Sequence, residues 1–345
     1  MVAQCRDSLT QRWTVIPVPY EIHDARSWIS SREGAWASGT EYSFAVEHAG
    51  RFAGSVDLRP QGHAGLDVGY GLAPWARGQG LAVRALRLLI PWAFDILGAE
   101  IVFWQAIAGN WASRRVAWSI GLRVEGTVRG LVDQRGIRLD GWIASLRRGD
   151  RLAPAHPWFD PPALPGHGVR LRAHRLDDAS AIVEACNDAQ TQLWLANLPR
   201  QYTQDDARAH LEEIAEEQAA GRALFWAMED PENGGLIGEI GMWGLARGEA
   251  RSAELGYWTH PSARRRGLTT EAIRLASRYA LLPPARGGLG LARLVIRAAE
   301  GNLPSQQVAL RAGFSLTGRD RGAERLGDGT IQDLLRYDVL PGEIT

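Results

Sequence analysis

Cysteine is nearly absent from this chain: Cys5 and Cys186 are the only two in 345 residues. Two thiols cannot build a disulfide framework, and neither lies in a ligand-spaced Cys/His cluster, so a reducing, cytoplasmic compartment and no metal are expected. Net charge is absent too, with 39 basic against 39 acidic side chains. No global field draws the chain to nucleic acid or to an anionic membrane, so neither is expected as a partner, and any anion site must be built locally. No apolar run approaches the ~20 residues that cross a bilayer, and residues 1–6 lack the basic-then-apolar order of a secretory leader. What is present is a hydrophobic fraction of 45% and enough length for two ordinary cores.

Those two cores are predicted to be copies of one another. Cys5, Asp7, Thr10, Gln11 and Trp13 recur as Cys186, Asp188, Thr191, Gln192 and Trp194. Tyr20, Asp24, Ala25 and Arg26 recur as Tyr202, Asp206, Ala207 and Arg208. Gly69, Tyr70, Pro74, Arg77, Gly80 and Ala85 recur as Gly256, Tyr257, Pro261, Arg264, Gly267 and Ala272, and Asn110, Ser113, Val116, Ala117 and Gly121 as Asn302, Ser305, Val308, Ala309 and Gly313. The offset only grows along the chain, as loop insertions in the second copy require; residues 282–290, rich in Pro and Gly, read as one of them.

Pro154, Pro157, Pro161, Pro162 and Pro165 mark a semi-rigid linker. The expected division is therefore a first domain at 1–150, a linker at 151–167 and a second domain at 168–345. The first copy lacks a counterpart of residues 168–181, one strand and the start of a helix. Its first helix would begin mid-pattern without a cap, so a true start upstream of Met1 is expected, and the genomic frame upstream decides it.

In the first copy strands are predicted at 42–47, 51–58, 65–72, 100–107, 122–132 and 137–146, with helices from about 82 to 97 and 110 to 120. The second copy repeats that order, with strands at 223–229, 236–243, 254–259, 292–298, 314–320 and 331–339 and helices at 268–281 and 305–312. An α/β class with a mixed sheet and helices on both faces follows.

The chemistry concentrates where a strand ends at a proline and turns through a Gly-rich basic segment into a helix: LAPWARGQGLA at 72–82 and THPSARRRGLT at 259–269. Backbone N–H groups of such a turn converge on one concavity and the helix N-terminus adds partial positive charge, so a pyrophosphate is the natural guest. Gly80 and Gly267 let the backbone approach, and Arg77 and Arg264, with Arg265 and Arg266, can reach phosphates from the side. The ending lacks the Gly-Lys-Ser/Thr of a Walker loop. A second repeated feature is Asn110 to Ser113 and Asn302 to Ser305, a helix cap placed just after an apolar strand, at the sheet edge where ligands of open α/β sheets collect.

Together the loop, its helix, the following strand and the Asn-to-Ser helix closing at Gly121 or Gly313 resemble the GNAT superfamily of N-acetyltransferases. Glu254-Leu255-Gly256-Tyr257-Trp258, Thr270-Glu271-Ala272 and Asn302-Leu303-Pro304-Ser305 look like its RimJ/RimL branch, which acetylates protein N-termini and small amines. The resemblance covers nearly the whole chain, twice, and implies two tandem GNAT-like domains, each a mostly antiparallel mixed sheet, with acetyl-CoA or another acyl-CoA as co-substrate. It implies that Arg77, Gly78, Gln79, Gly80, Leu81 and Ala82, and in the second copy Arg264, Arg265, Arg266, Gly267, Leu268 and Thr269, hold the pyrophosphate. Leu72, Ala73, Thr259 and His260 would pair their backbones with pantetheine in a gap between strands, and Asn110 and Asn302 would help to position it. Thr269 departs from the usual Gly or Ala, and no Tyr follows Ser113 or Ser305 at the spacing of the usual acid, which leaves Ser in that role.

Acyl transfer to an amine needs a base, an oxyanion donor and a proton for the thiolate. Glu254, and Asp67 aligned with it one residue shifted or loosely, are the base candidates, and Ser305 and Ser113 the acid candidates. The complete second copy, with Glu in place of Asp, is expected to be the better catalyst. Trp36, Trp226 and Trp243 are candidates for an acceptor pocket. The expected acceptor is an amine-bearing small molecule or a protein N-terminus, and the expected assembly a monomer or homodimer. The rival expectation is an acyl-CoA sensor or scaffold with one or both domains silent.

Overall fold

The computed structural model describes residues 1–246 and 251–344. It separates into two compact units, Met1–Ala155 and His156–Thr345. The first unit runs α1 (Val2–Cys5), α2 (Ser8–Trp13), α3 (Ile22–Ser38), β1 (Tyr42–His48), β2 (Arg51–Pro60), β3 (Gly65–Leu72), α4 (Leu81–Asp95), β4 (Ile101–Ile107), α5 (Trp111–Ser119), β5 (Arg123–Gln134) and β6 (Ile137–Arg147). The second runs β7 (Leu164–Pro165), β8 (Arg170–Arg172), α6 (Ala179–Cys186), α7 (Ala189–Trp194), α8 (Gln204–Ala219), β9 (Ala223–Glu229), β10 (Leu236–Trp243), β11 (Ser252–Thr259), α9 (Leu268–Leu281), β12 (Arg293–Ala299), α10 (Leu303–Arg311), β13 (Ser315–Arg325) and β14 (Ile331–Val339).

The strand order is β1-β2-β3-β4-β6-β5 in the first sheet and β13-β14-β12-β11-β10-β9-β8-β7 in the second. Among the described residues only β3–β4 and β11–β12 pair in parallel, so each unit is one mixed, mostly antiparallel sheet. The central helix supplies the crossover that a parallel pair needs. Its apolar stripe falls on one face, at Leu86, Leu89, Ile90 and Ala93 in α4 and at Ala272, Ile273, Ala276 and Ala280 in α9, all buried against the sheet. The repeated Asp24 and Asp206 explain themselves as capping-box residues: each accepts the backbone N–H three residues earlier, Glu21 at 2.7 Å and Thr203 at 2.8 Å.

The counterpart that the first copy was expected to lack is visible as topology. β9 is covered by β8 and β7, whereas β1 is the outer strand of its sheet. β8 is fixed by a buried charge network in which Arg172 donates to both carboxylate oxygens of Asp178, at 2.8 and 2.7 Å, and to Glu229.

The proline-rich stretch expected as a linker is tied into the second unit. Phe159 N donates to Gln218 O at 2.9 Å, the Trp226 indole donates to Pro162 O at 3.0 Å, and Leu164–Pro165 forms β7. This overturns one expectation. Trp226 is fully buried in the core, edge-on to Tyr279, and lines no acceptor pocket. Trp36 sits in an aromatic cluster with Tyr42, Phe44 and Trp92.

Candidate active site

A sheet normally pairs every strand along its length; here one pair in each unit lets go. β3 and β4 pair only at Gly65–Ile101, Leu66–Val102 and Asp67–Phe103. β11 and β12 pair from Ser252–Arg293 to Leu255–Ile296. Past those points the strands diverge, and each opening lies beside the turn that leads into α4 or α9. In the second unit the opening is a groove of about 750 Å³, lined among others by Tyr257, Thr259, Arg265, Gly267, Asn302 and Ser305, a size suited to a small-molecule ligand.

The turn at the mouth of each opening has the shape of an anion cradle. Gly80 and Gly267 are the helix N-caps, with φ of 69° and 77° in the left-handed region. Gly78 has φ 73°, and Arg265, at the matching place, holds φ 62°, an uncommon conformation for a residue with a Cβ and one that gathers at binding loops. A Cβ on Gly78 or Gly267 would meet nothing within 4 Å, and on Gly80 only Arg84 Nη1 at 3.9 Å. The turns are therefore open on their outer side. Leu81, Ala82, Leu268 and Thr269 bury their side chains and offer only backbone to a ligand. The departure at Thr269 is compensated: its hydroxyl lies 2.6 Å from that of Thr259, and the matching positions of the first copy are Ala82 and Leu72.

Other assignments are redirected. Arg77 does not hang free for a phosphate; its Nη2 donates to Asp7 Oδ2 and Thr10 Oγ1, both at 2.7 Å. Arg264 does the same to Asp188 at 2.6 Å and Thr191 at 2.8 Å. Asp7 and Asp188 also cap α2 and α7, so each arginine is a strut between a cap and the loop. The Arg77 hydrogen bond holds the Asp7 carboxyl below its ordinary value. At Asp188 burial pulls upward, but the bond from Arg264 wins and the shift is again downward. Gln79 donates back to Trp75 O at 2.8 Å, and Arg266 lies 3.8 Å from Asp230. The N–H groups of Ala73 and His260 donate to Ala53 and Ile237 on the side away from the opening, and Leu72 O accepts from Arg77. Asn110 and Asn302 each accept the N–H of the serine three residues on, at 3.2 Å.

Two tyrosines were missed as site residues, although both stood in the repeat. Tyr70 OH donates to Ser113 O at 2.7 Å and accepts from Ser113 Oγ at 2.9 Å. Tyr257 OH donates to Ser305 O at 3.0 Å and lies 2.9 Å from Ser305 Oγ. Burial pushes both phenols up, Tyr257 to about 12, so both keep their protons at neutral pH. Each bond joins residues far apart in sequence, which is why neighbouring spacing could not reveal it.

The two base candidates occupy the same position, with no shift between them: Asp67 pairs with Phe103 and Arg59, Glu254 with Val295 and Trp243, and each lies three residues before its tyrosine. Their surroundings differ. Glu254 is engaged by Arg297, whose Nε donates to Oε1 at 2.9 Å while Nη2 holds Oε2. Asp67 has Arg59 at 3.3 Å, shared with Asp57 at the same distance, and its Oδ1 is buried without a hydrogen-bond partner. Burial, opposed by Arg59 and assisted by Asp57, pushes Asp67 up to about 6. Trp243 lies over Gly241 and Gly256, where a Cβ would come within 2.3 and 2.8 Å of the indole. In the first unit Asp57 fills the same place over Gly69, at 2.7 Å. The second unit also buries Glu239 with His210 Nε2 at 2.9 Å and His174 Nε2 at 3.0 Å. Burial pulls Glu239 upward, but the two imidazoles hold it well below the carboxylate range.

Asp67 has a consequence for stability. Its folded value lies above the unfolded 3.8, so its contribution is full below about pH 4 and is lost as pH rises through about 6. Asp67→Asn is therefore expected to raise first-unit stability by roughly 2–3 kcal/mol at pH 8 and to change it little at pH 4, measured by urea titration at both.

Among the described residues no group of three or more His, Cys, Asp or Glu side chains is placed to hold a metal. No curated protein matches the chain. Similar solved structures include Mycobacterium smegmatis RimJ in complex with CoA-disulfide (21% identity, 54% of this chain and 90% of that one, TM-score 0.46). Others are a ribosomal-protein-S5-alanine acetyltransferase from Vibrio fischeri (15%, 54% and 100%, 0.47) and a GCN5-related N-acetyltransferase from Brucella melitensis (23%, 54% and 82%, 0.45). The model of the acetyltransferase (GNAT) domain matches residues 1–123 and again 169–315. With most of its length covered by two matches to that one model, the chain belongs to the GNAT acetyltransferase family and carries the domain in tandem.

Proposed function

We propose that the chain is an acyl-CoA-dependent N-acyltransferase that passes an acyl group, acetyl in the first instance, to a primary amine of a protein N-terminus or small molecule. One observation carries this reading: the parted strands, the outward-open cradle and the Tyr–Ser hydroxyl pair recur in register in both units. The amine attacks the thioester directly, a strand carboxylate takes its proton, and backbone N–H groups along the opening stabilise the oxyanion. Ser113 or Ser305 turns its hydroxyl from the tyrosine to the departing sulfur and gives it a proton, with the protonated tyrosine behind it.

Titration with CoA, paired with thiol release across a panel of amines and N-terminal peptides, tests the reading; no heat and no thiol release would remove it. Ser113→Ala and Tyr70→Phe are each expected to lower kcat by about tenfold, the scale of one lost hydrogen bond, with CoA affinity unchanged. A second reading, acyl-CoA binding without turnover in one or both units, has support where Arg297 engages Glu254. Among the described residues no helix is long and apolar enough to cross a membrane; the proposed cytoplasmic setting rests on cysteine usage.

A further inference from the structure

We propose that the two copies have divided the work: transfer runs in the first unit with Asp67 as proton acceptor, and the second unit holds acyl-CoA without transferring it, because Arg297 clamps the matching carboxylate. This rests on the acyltransferase reading and reverses the expectation that the complete copy is the better catalyst.

The argument is a comparison at one position. Glu254 and Asp67 sit at the same register, at the end of the paired stretch just before the strands part, and three residues before a site tyrosine. In the second unit Arg297 engages both Glu254 oxygens. Both oxygens are occupied by the guanidinium, so an incoming amine can reach the carboxylate only by displacing two charge-assisted bonds. The residue that matches Arg297 in the first unit is Gln105, which carries no charge. Asp67 Oδ1 is left buried and unpartnered. The charged groups around it are Arg59 and Asp57 on β2, with Arg32 and Glu41 beyond. Burial raises its basicity to the range where a carboxylate serves as a general base near neutrality. The second unit also carries Arg265 at the outward-open turn where the first has Gly78, an added positive charge that suits holding a phosphate-rich ligand.

In the first unit the amine nitrogen bonds to the thioester carbonyl carbon and its proton passes to Asp67. The C–S bond then breaks with its electron pair on sulfur, and Ser113 supplies the thiol proton. Asp67 returns its proton to water and the serine–tyrosine pair regains one, so the sum is amine plus acyl-CoA giving amide plus CoA thiol.

The full chain is assayed with acetyl-CoA and the best amine of the panel. Asp67→Asn is expected to reduce thiol release at least about 100-fold, within the range for a lost general base, and to abolish the acidic limb of the kcat/KM profile near pH 6. CoA titration of the variant should still give two sites, which shows that it folds, and Asp67→Glu should restore part of the rate and the limb. A variant Asp67→Asn that folds and keeps half or more of the turnover, or keeps the limb, overturns the division while leaving the acyltransferase intact. A wild-type chain that binds no CoA and releases no thiol overturns both.

Discussion

Asp substituted for Gly80 is expected to leave the fold intact and to remove one of two CoA sites, and Gly267→Asp to remove the other. A Cβ at either glycine enters open space, so no packing is disturbed. The left-handed φ of 69° or 77° is a strain for most residues, but Asp is among those that tolerate it, and at a helix N-cap it is a preferred residue. The loss comes from charge. A carboxylate about 5 Å from one phosphate charge, at an effective dielectric near 20, costs on the order of 3 kcal/mol, or about 100-fold in Kd. Calorimetric titration should fall from two sites to one for each single variant, with melting unchanged. Two sites at wild-type affinity in either variant would show that the cradle is not where the pyrophosphate sits.

Arg172→Met is expected to destabilise the second unit by about 3–5 kcal/mol, the cost of leaving a buried ion unpaired, and to lower its melting transition on the order of 10 °C. Arg172 is 6% exposed and is the common partner of Asp178 and of the fully buried Glu229. Burial by itself raises both carboxyls, but their bonds to Arg172 hold them below their ordinary values. A depressed folded value contributes stability above the unfolded pKa, and that contribution is lost as pH falls through the carboxylate range. Asp67 acts in the opposite direction, so acidification from pH 7 to 4 should strengthen the first unit through that group while weakening the second. Scanning calorimetry across that range is the check; a second-unit transition that stays put in Arg172→Met would show that Arg170 and Arg175, which also reach Glu229, suffice.

The repeat, the succession of strands and helices and both cradle helices were legible along the chain, because they are carried by residue spacing and local pattern. Alternation and 3.6-residue spacing mark strands and helices, and Gly supplies the positive φ at 80 and 267. The repeat also flagged Tyr70 and Tyr257 without saying what they do. Their serine partners lie far along the chain, on a helix across the opening, and no local pattern reports that contact. Arg77 and Arg264 show the same limit. A basic residue in a Gly-rich turn reads as a phosphate ligand until the fold brings Asp7 or Asp188 within 2.7 Å.

Sequence by itself determined that there are two copies of one domain, that each turns from a strand through a glycine cradle into a helix, and that each offers one carboxylate and one serine beside it. Only the tertiary structure decided how those carboxylates differ. The groups that meet a carboxylate are set by which strands pack together: Arg297, on a strand that begins far from Glu254 in sequence, folds onto it, whereas Gln105 and the buried setting leave Asp67 Oδ1 without a partner.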